Sequence, residues 1–473
     1  MRVLLLLLLT LATLFASGQT ALDAATERLL RDEQLAHATL GIAVVDANTG
    51  QLVKSLNASK SLVPASLMKV PTTATALSVL GEDYRFTTQL CYSGRIIDGT
   101  LEGDLHIVGG GDPTLGGGRP EGALDLDELL ARWVAAVRQA GIRAVSGRVI
   151  GNESLDPGAE PSPYWQWNDI GNYYGAGPGA LVINENKFAL RLQRTANVGG
   201  KPKIIGYEPN PGELRWTNKL TSGSPGSGDQ SYIFGAPGTY DRVIRGTIPA
   251  GKGTYKVKGS LPQPALHAAQ WLTEALEQGG IAVGGEAGAT SSLLPSSAAV
   301  IDTYRSPRLA DIAKLTNFRS VNLFAEALYA ALGREWNTTD APSEIGERLV
   351  DYWSSIGIAT DGWEQVDGSG LSMRNMITPA QLAEVIRRSP AGFRQNLPRV
   401  GKEGTVRGLN RGVAGADRVR AKSGTLKRAR GFCGYATTSA GRELAFAIVV
   451  NNYTGSGRQL RRKMGRWMMG LAE

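Results

Sequence analysis

Strand-like runs at the two ends of the chain constrain its architecture more than any other feature. Near the N-terminus, residues 40–46 and 52–57 flank a turn sequence at 48–50 and so predict a β-hairpin. Near the C-terminus, residues 430–437 and 443–450 predict a second pair of strands. The economical arrangement is one antiparallel sheet built from both termini and interrupted by an insertion, which is an α+β fold.

The chain between these strand pairs divides into helical and irregular stretches. Apolar periodicity and capping signals predict helices at residues 24–36, 66–80, 309–315, 321–332, 343–356, 379–388 and 458–471. Between residues 91 and 288, strand-like pieces alternate with glycine-rich turns, and two helices (126–140 and 266–278) each end at Gly-Ile and a strand. These two units indicate paired parts of one inserted domain. The turn-rich stretch 194–260 predicts a small β domain between them.

The first residues have the pattern of an export signal. Arg2 is followed by an apolar run at residues 3–15 and by small residues at 16–18, which predicts a signal peptide at residues 1–18. A buried N-terminal helix is the alternative. No later stretch is apolar for long enough to cross a membrane. We therefore expect an exported protein, periplasmic or associated with the cell wall outside the cell.

Composition argues against several functions. The net charge is +8, but no dense basic block is interleaved with aromatic residues, which disfavours nucleic-acid binding. The three histidines, His37, His106 and His267, stand in no metal-binding spacing, and the chain has neither a G-x-S-x-G elbow nor a phosphate-binding loop. We therefore expect no metal and no cofactor. A nucleophile in this chain must be activated by something other than histidine.

Ser66 and Lys69 supply such an activation. At positions i and i+3 of a helix, the hydroxyl and the amine share one face and can form a hydrogen bond. A lysine whose neutral form is favoured by burial and by a second cation can remove the serine proton. A serine at a helix start also places its N–H where it can bind an oxyanion. Pro71 is expected to bend this helix or to tighten its start.

Two further groups of polar residues lie at element boundaries. Ser320 and Asn322 stand where one predicted helix ends and the next begins, so their side chains suit a proton relay and a contact with a substrate carbonyl. An N-cap role for Ser320 is the alternative. Residues 422–425 combine a cation, two hydroxyls and Gly424 before the last strands, which suits a substrate with a terminal carboxylate. A charged turn is the alternative.

In this order the three groups resemble the S-x-x-K, S-x-N and K-[ST]-G motifs of penicillin-binding proteins and serine β-lactamases. Ser66 and Ser320 are 254 residues apart, which leaves room for a large insertion. The chain is therefore similar to the D-alanyl-D-alanine carboxypeptidase/endopeptidases, the class C low-molecular-mass penicillin-binding proteins. Other segments that resemble this group are residues 109–115, 165–169, 367–372 and 404–406.

The resemblance implies a β-lactamase/transpeptidase-like domain, an antiparallel sheet flanked by helices, with a large α/β and β insertion. We predict the penicillin-binding catalytic domain at residues 19–90 and 289–473. The inserted domain II is predicted at 91–193 and 261–288, and the small β domain III at 194–260.

The resemblance also implies a role for each motif residue. Ser66 would attack the carbonyl between two D-alanines and form an acyl-enzyme, with Lys69 as the general base. Ser320 would pass a proton to the leaving amine, with Lys422 as its electrostatic partner. Asn322 would orient Lys69 and the substrate amide.

Substrate binding is implied for a second set of residues. Ser423 and Thr425, beside Gly424, would bind the substrate carboxylate, and the N–H groups of the nucleophile and Thr425 would form the oxyanion hole. A serine in the third motif replaces the commoner threonine and can make the same bonds. Asn152 stands where the family often has an aspartate that reaches the substrate's amino group. It keeps an acceptor without the charge, and Glu153 is the alternative.

The implied partners are peptidoglycan stem peptides and cross-links, with β-lactams as covalent inhibitors. A β-lactamase is a rival interpretation, but it needs a group that speeds deacylation, such as a tyrosine where Ser320 stands. A wall-binding module with a dead site is disfavoured because all three motifs are present. The preference for tails or for cross-links, and the formation of a homodimer, stay open.

Two other features each have two interpretations. Cys91 and Cys433 either form a disulfide, which an exported protein allows, or are two buried thiols. The C-terminal helix at residues 458–471 carries an apolar stripe among arginines. It either packs on the sheet or makes a peripheral membrane contact.

Overall fold

The structure is a computed structural model that describes residues 21–156, 161–338 and 341–473. The predicted signal peptide at residues 1–18 lies outside the described residues. The chain divides into two compact units. The first contains residues through Glu82, Ala313–Val321 and Leu332–Glu473, and the second contains Asp83–Ile312 and Asn322–Ala331.

Strands and helices are numbered in chain order. The strands are β1 (Thr39–Asp46), β2 (Leu52–Leu56), β3 (Thr87–Ile97), β4 (Thr100–Val108), β5 (Ala144–Val145), β6 (Val149–Asn152), β7 (Lys187–Gln193), β8 (Lys203–Glu208), β9 (Arg215–Gly223), β10 (Gln230–Phe234), β11 (Asp241–Pro249), β12 (Thr254–Ser260), β13 (Ala282–Val283), β14 (Gly288–Thr290), β15 (Ala299–Arg305), β16 (Val419–Leu426), β17 (Ala429–Thr437) and β18 (Glu443–Asn451). The helices are α1 (residues 21–30), α2 (Lys69–Val79), α3 (Leu126–Gln139), α4 (Trp167–Ile170), α5 (Pro264–Gln278), α6 (Leu309–Arg319), α7 (Asn322–Glu335), α8 (Pro342–Ser355), α9 (Pro379–Arg388) and α10 (Gly457–Met469).

A five-stranded antiparallel sheet forms the centre of the first unit. Its strand order is β16-β17-β18-β1-β2, so strands from both ends of the chain pair side by side. The register joins Ile42 to Ile448 and Lys422 to Cys433. The sheet predicted from both termini, and with it the α+β fold class, is therefore confirmed.

The C-terminal helix α10 packs into the core of this unit. Its apolar side chains are buried with those of β1, β17 and β18, and Trp467 lies 6.2 Å from Phe446 between ring centroids. This is the packing interpretation of its apolar stripe, because the stripe is used inside the core. No helix within residues 21–156, 161–338 and 341–473 has the length and apolar character needed to cross a membrane.

The second unit contains a larger mixed sheet and two three-stranded sheets. In the mixed sheet β5 pairs with β13 and β6 pairs with β14, all in parallel. These pairs join the two helix–Gly–Ile–strand units, as predicted. One hydrophobic core contains Trp133 of α3 together with Leu220 and Ile244 from the turn-rich stretch. The three-part division of the chain stays a prediction.

The structure also decides the extent of the N-terminal helix and the state of the two cysteines. The N-terminal helix predicted at residues 24–36 ends at residue 30, and a separate 3-10 turn follows at Glu33–Leu35. The cause is Asp32, whose side chain accepts a hydrogen bond from the N–H of Gln34 and so caps the new turn. Cys91 and Cys433 are both buried free thiols, and burial raises the pKa of Cys433 to about 12.

Candidate active site

The predicted nucleophile lies in a tight turn that leads into α2. Ala65–Met68 is a 3-10 turn and the α-helix begins at Lys69, three residues later than the start predicted from the sequence. Pro71 accounts for this start, because it falls in the first turn of α2, where its missing N–H is not needed. Ala65 has φ of +51°, which reverses the chain just before Ser66. Ser66 is only half-buried, so a substrate can approach its hydroxyl.

Lys69 is fully buried beneath this serine. Its Nζ lies 3.1 Å from Ser66 Oγ and donates to the carbonyl oxygen of Ser369 at 2.6 Å. The first distance is within the range that a general base needs to take the serine proton. The second contact holds the amine in place beside the hydroxyl.

A loop organised by Asp367 supplies that carbonyl. The buried carboxylate of Asp367 accepts from the N–H groups of Gly370 at 2.6 Å and Ser372 at 2.7 Å, and from Asn375 Nδ2 at 2.9 Å. Bonds to a charged acceptor are stronger than neutral ones, so they fix the loop that presents Ser369. The sequence marked this segment through its resemblance to an active-site loop. It carried no signal for the carbonyl, because every residue has one.

Ser320 lies in the corner between α6 and α7 in a strained conformation. Its φ is +57°, a left-handed value that costs a non-glycine residue about 1–3 kcal/mol. The cap of α7 is Val321, without a side-chain hydrogen bond, so the N-cap interpretation of Ser320 is wrong. Its hydroxyl instead accepts from Lys422 Nζ at 2.8 Å.

Lys422 lies within the edge strand β16, so the charged-turn interpretation is also wrong. Its Nζ donates to Ser320 Oγ and, at 2.7 Å, to the carbonyl of Ser423. Burial and, after it, the charge of Lys69 hold the pKa of Lys422 well below its usual range. The first, second and third motifs therefore meet around two buried amines.

Two residues outside the predicted site support the third motif. Ser423 Oγ donates to Thr405 Oγ1 at 2.9 Å, and Arg461 Nη2 of α10 donates to the carbonyl of Thr405 at 2.7 Å. Thr425 is exposed at the same edge. The sequence had marked residues 404–406 by resemblance, whereas no spacing pointed to Arg461.

Gly424 is buried by the nucleophile segment. A Cβ at this position would lie 2.5 Å from the carbonyl oxygen of Pro64 and 3.0 Å from Leu67 Cγ. The glycine thus allows β16 to approach the turn that carries Ser66. The interpretation from the sequence is that Gly424 lets a substrate approach the strand.

The other two predicted residues belong to the second unit. Asn322 Nδ2 donates to the carbonyl of Tyr174 at 2.8 Å. Asn152 is 1% exposed; its Nδ2 donates to the carbonyl of Ser292, and its Oδ1 accepts from the N–H of Ser154, both at 2.9 Å. These bonds use the amide of Asn152 inside the fold. Glu153 beside it is half-buried, and burial together with Asp156 raises its pKa.

The described part of the chain holds no group of three or more His, Cys, Asp and Glu side chains arranged to bind a metal ion. The structure instead offers hydroxyl and amine groups around one serine. An antiparallel sheet with a serine–lysine pair beside its edge strand defines the penicillin-binding proteins and serine β-lactamases as the class.

Comparison with known proteins places the chain within that class. It belongs to the D-Ala-D-Ala carboxypeptidase 3 (S13) family, whose model matches residues 22–471. A D-alanyl-D-alanine carboxypeptidase of Actinomadura sp. (strain R39) is 30% identical over 465 residues, which cover 93% of this chain and 83% of that protein. The D-alanyl-D-alanine carboxypeptidase DacB of Haemophilus influenzae is 24% identical over 427 residues, which cover 88% of this chain and 86% of that protein.

Solved structures show the same fold. The crystal structure of penicillin binding protein 4 from Haemophilus influenzae superposes with a TM-score of 0.78 at 22% identity and covers 94% of this chain and 97% of its own. A second structure of that protein, complexed with a β-lactam, gives a TM-score of 0.72 at 21% identity and covers 92% of this chain and 96% of its own. The expected fold and family are therefore confirmed.

Proposed function

We propose that Ser66 is the nucleophile of this protein and that the protein cleaves D-alanyl peptide bonds of peptidoglycan, in stem-peptide tails and in cross-links. As a member of its family the protein is a serine-type D-Ala-D-Ala carboxypeptidase. The observation that carries the proposal is the 3.1 Å contact between Ser66 Oγ and the buried Nζ of Lys69.

Acylation proceeds through a tetrahedral intermediate. Ser66 Oγ attacks the carbonyl carbon of the penultimate D-alanine while Lys69 Nζ takes the hydroxyl proton. The N–H groups of Ser66 and Thr425 stabilise the oxyanion, each by about 3 kcal/mol. When the tetrahedral intermediate collapses, the peptide C–N bond breaks and the terminal D-alanine leaves as an amine.

The leaving amine needs a proton, which Ser320 supplies. Its hydroxyl is bonded to Lys422 Nζ at 2.8 Å, so the proton lost by Ser320 is replaced from Lys422. The lowered pKa of Lys422 makes this transfer easier than from an ordinary lysine. Water then attacks the acyl-enzyme and releases the shortened peptide and Ser66.

Substrate recognition involves polar side chains of the motifs. Ser423 and Thr425 bind the terminal carboxylate, and Asn322 orients the substrate amide and Lys69. Glu153 is a better acceptor for a substrate amino group than Asn152, because the amide of Asn152 is used in local bonds. A β-lactam, which presents a carboxylate and a strained amide, acylates the same serine.

The cellular location of the enzyme follows from its proposed substrate. Peptidoglycan lies outside the cytoplasmic membrane, so the enzyme is exported by the signal predicted at residues 1–18 to the periplasm or the cell wall. The proposal involves no peripheral membrane contact by α10. The formation of a homodimer is not part of the proposal.

The test is the variant Ser66→Ala. We expect loss of D-alanine release from a pentapeptide and loss of covalent labelling by fluorescent penicillin, with an unchanged circular dichroism spectrum. Ser224→Ala, at an exposed serine in the turn after β9, is the matched control and should keep both activities. Labelling retained in Ser66→Ala would show that another residue is the nucleophile.

Digestion of purified peptidoglycan separates the two bond types. Mass spectrometry should show loss of terminal D-alanine from tails and conversion of cross-linked dimers to monomers. Tails shortened without any loss of dimers would remove the endopeptidase part of the proposal.

A further inference from the structure

The positive charge of the chain is concentrated in one stretch of the second unit. Residues 187–260 contain twelve lysines and arginines and four aspartates and glutamates, so their net charge is +8. This equals the net charge of the whole chain, because the remaining residues carry as many acidic as basic groups. An asymmetry of this kind indicates a negatively charged partner for the stretch.

Part of this charge lies on the outer face of the sheet β12-β7-β8, in which β7 is the central strand. Successive residues of a strand point to opposite faces. Phe188, Leu190 and Leu192 of β7 are buried in the core of the unit, so the residues between them point outward. The exposed cations of this outer face form what we call the basic surface: Arg191 of β7, Lys203 of β8, and Lys256 and Lys258 of β12.

The pairing of the strands places these cations side by side. Lys256 lies directly opposite Arg191, and Lys203 lies opposite Gln193, two residues further along β7. Like charges that lie opposite each other destabilise a sheet. The arrangement therefore lowers the stability of the unit, which favours a role in binding over a role in folding.

Glu208 of β8 compensates part of the charge of the basic surface. It forms an ion pair with Lys256 in which both side chains are more than half exposed. Lys258 Nζ lies 5.7 Å from the ring centroid of Tyr173, a contact that does not neutralise its charge. Arg191, Lys203 and Lys258 have no ion-pair partner in the part of the chain that the structure describes. Three cations thus stay available to an anionic ligand.

The basic surface is larger than one anionic group. Lys203 lies opposite Gln193 and Lys258 opposite Ala189, on the two strands that flank β7. Neighbouring strands are about 4.8 Å apart and each residue advances about 3.3 Å, so the surface extends over about 10 by 13 Å. A single carboxylate or phosphate contacts only part of such an area. The surface therefore matches a polymer whose negative groups are separated from one another.

We propose that the basic surface binds peptidoglycan through the carboxylates of its stem peptides. The inference rests on the proposed function, which makes peptidoglycan the substrate. Each uncross-linked stem peptide ends in a carboxylate, so the polymer presents negative groups at intervals. A second contact of this kind keeps the enzyme on the polymer between cleavage events and raises the effective concentration of the bonds that it cleaves.

The experiment measures sedimentation of full-length Ser66→Ala protein with purified peptidoglycan sacculi, because this variant is expected to leave the polymer intact. In that background we add Arg191→Gln, Lys203→Gln and Lys258→Gln together. We expect binding to weaken by about tenfold, since attraction by a charged surface contributes factors of this size or more. Sacculus binding that is unchanged by the triple substitution, or absent from Ser66→Ala itself, would overturn the inference.

A second triple substitution is the matched control. Arg95→Gln, Lys219→Gln and Arg245→Gln remove the same net charge from exposed positions of β3, β9 and β11 in the same unit. This control should bind sacculi like Ser66→Ala. Equal weakening by both triple substitutions would show that only the net charge matters, and so would overturn the inference. All six positions are exposed, and circular dichroism should show that both proteins are folded.

Changes to the ligand test the same contact from the other side. Converting the carboxylates of the sacculi to methylamides should abolish the difference between the two triple substitutions, because the negative charge is removed. Raising the salt concentration from about 0.05 to 0.5 M should weaken binding through screening. Undiminished binding to the amidated sacculi would contradict recognition by charge. Binding to phosphatidylglycerol vesicles without binding to sacculi would identify a membrane as the partner and overturn the inference.

An assay on a small substrate separates this inference from the proposed function. With Ser66 restored, the Arg191, Lys203 and Lys258 substitutions should leave D-alanine release from a soluble pentapeptide unchanged, because these residues lie outside the catalytic motifs. A large loss of this activity would overturn the assignment of the surface to polymer binding. Absence of D-alanine release from the parent would instead overturn the proposed function, while the sedimentation comparison would still test the basic surface.

Discussion

Several residues of the first unit have a conformation or a degree of burial that lowers the stability of the fold. Ser320 has a left-handed backbone, and Lys69 and Lys422 are both fully buried amines. Burying a charged amine is unfavourable. Such costs are common at sites whose chemistry needs an amine of low proton affinity.

The variant Lys422→Met tests whether the buried amine of Lys422 serves catalysis at a cost in stability. We expect the rate of D-alanine release to fall by about 10²–10⁴-fold, because the proton relay to Ser320 is lost. We also expect the free energy of unfolding at neutral pH to stay the same or to rise, since the variant buries no charge. Urea unfolding and a pentapeptide assay measure the two effects.

The pH dependence of this variant has a definite sign. The folded-state pKa of Lys422 is lowered from its usual 10.5, so between the two values the unfolded chain binds more protons. The parent protein therefore gains stability as the pH rises through that window. The difference in unfolding free energy that favours Lys422→Met becomes smaller over the same window. A stability loss of equal size at every pH would contradict the buried-charge explanation.

At the scale of elements, the site depends on how closely β16 approaches the turn before α2. Gly424 allows this approach, since a Cβ there would lie 2.5 Å from the carbonyl oxygen of Pro64. Arg461 of the C-terminal helix adds a second contact by donating to the carbonyl of Thr405. Both contacts join segments that are far apart in the chain.

Gly424→Ala should therefore impair catalysis more than folding. Displacing the strand by a few tenths of an ångström to 1 Å should lower the rate of acylation by benzylpenicillin by about 10²-fold. Overpacking should cost about 1–3 kcal/mol of unfolding free energy. Stopped-flow acylation and urea unfolding give both numbers.

Gly408→Ala is the matched control for this substitution. Gly408 is exposed, and a Cβ there meets no atom within 4 Å. Its acylation rate and stability should equal those of the parent. A normal acylation rate in Gly424→Ala would show that the strand is not held against the nucleophile turn.

At the scale of the whole molecule, the inserted stretch 194–260 shares a core with the rest of the second unit. Phe188 of β7 contacts Trp216 at 6.4 Å between ring centroids, and Trp271 Nε1 of α5 donates to the carbonyl of Asn210 at 3.0 Å. The buried apolar residues of both parts form one cluster. The stretch therefore contributes to the folding of the unit around it.

Replacing residues 194–260 by a short linker should unfold the second unit. The deletion uncovers apolar side chains of β7 and α5, whose burial stabilises the unit by about 25 cal/mol per Å². Limited proteolysis and thermal melts should show loss of its protection. Shortening the exposed turn at residues 224–229 is the control and should leave protection intact. A protease-resistant second unit after the larger deletion would support an independent domain III.

Local patterns in the sequence determined the sheet at the two termini, most helices and the three motifs that meet around Ser66. Alternation, periodicity and motif spacing are properties of neighbouring residues, so they survive without coordinates. The tertiary structure alone decided which atoms complete the site. The carbonyl of Ser369 reaches Lys69 from 300 residues away, and Arg461 of the last helix reaches the carbonyl of Thr405. Such contacts depend on backbone atoms and on distances between remote segments, which residue identity does not encode.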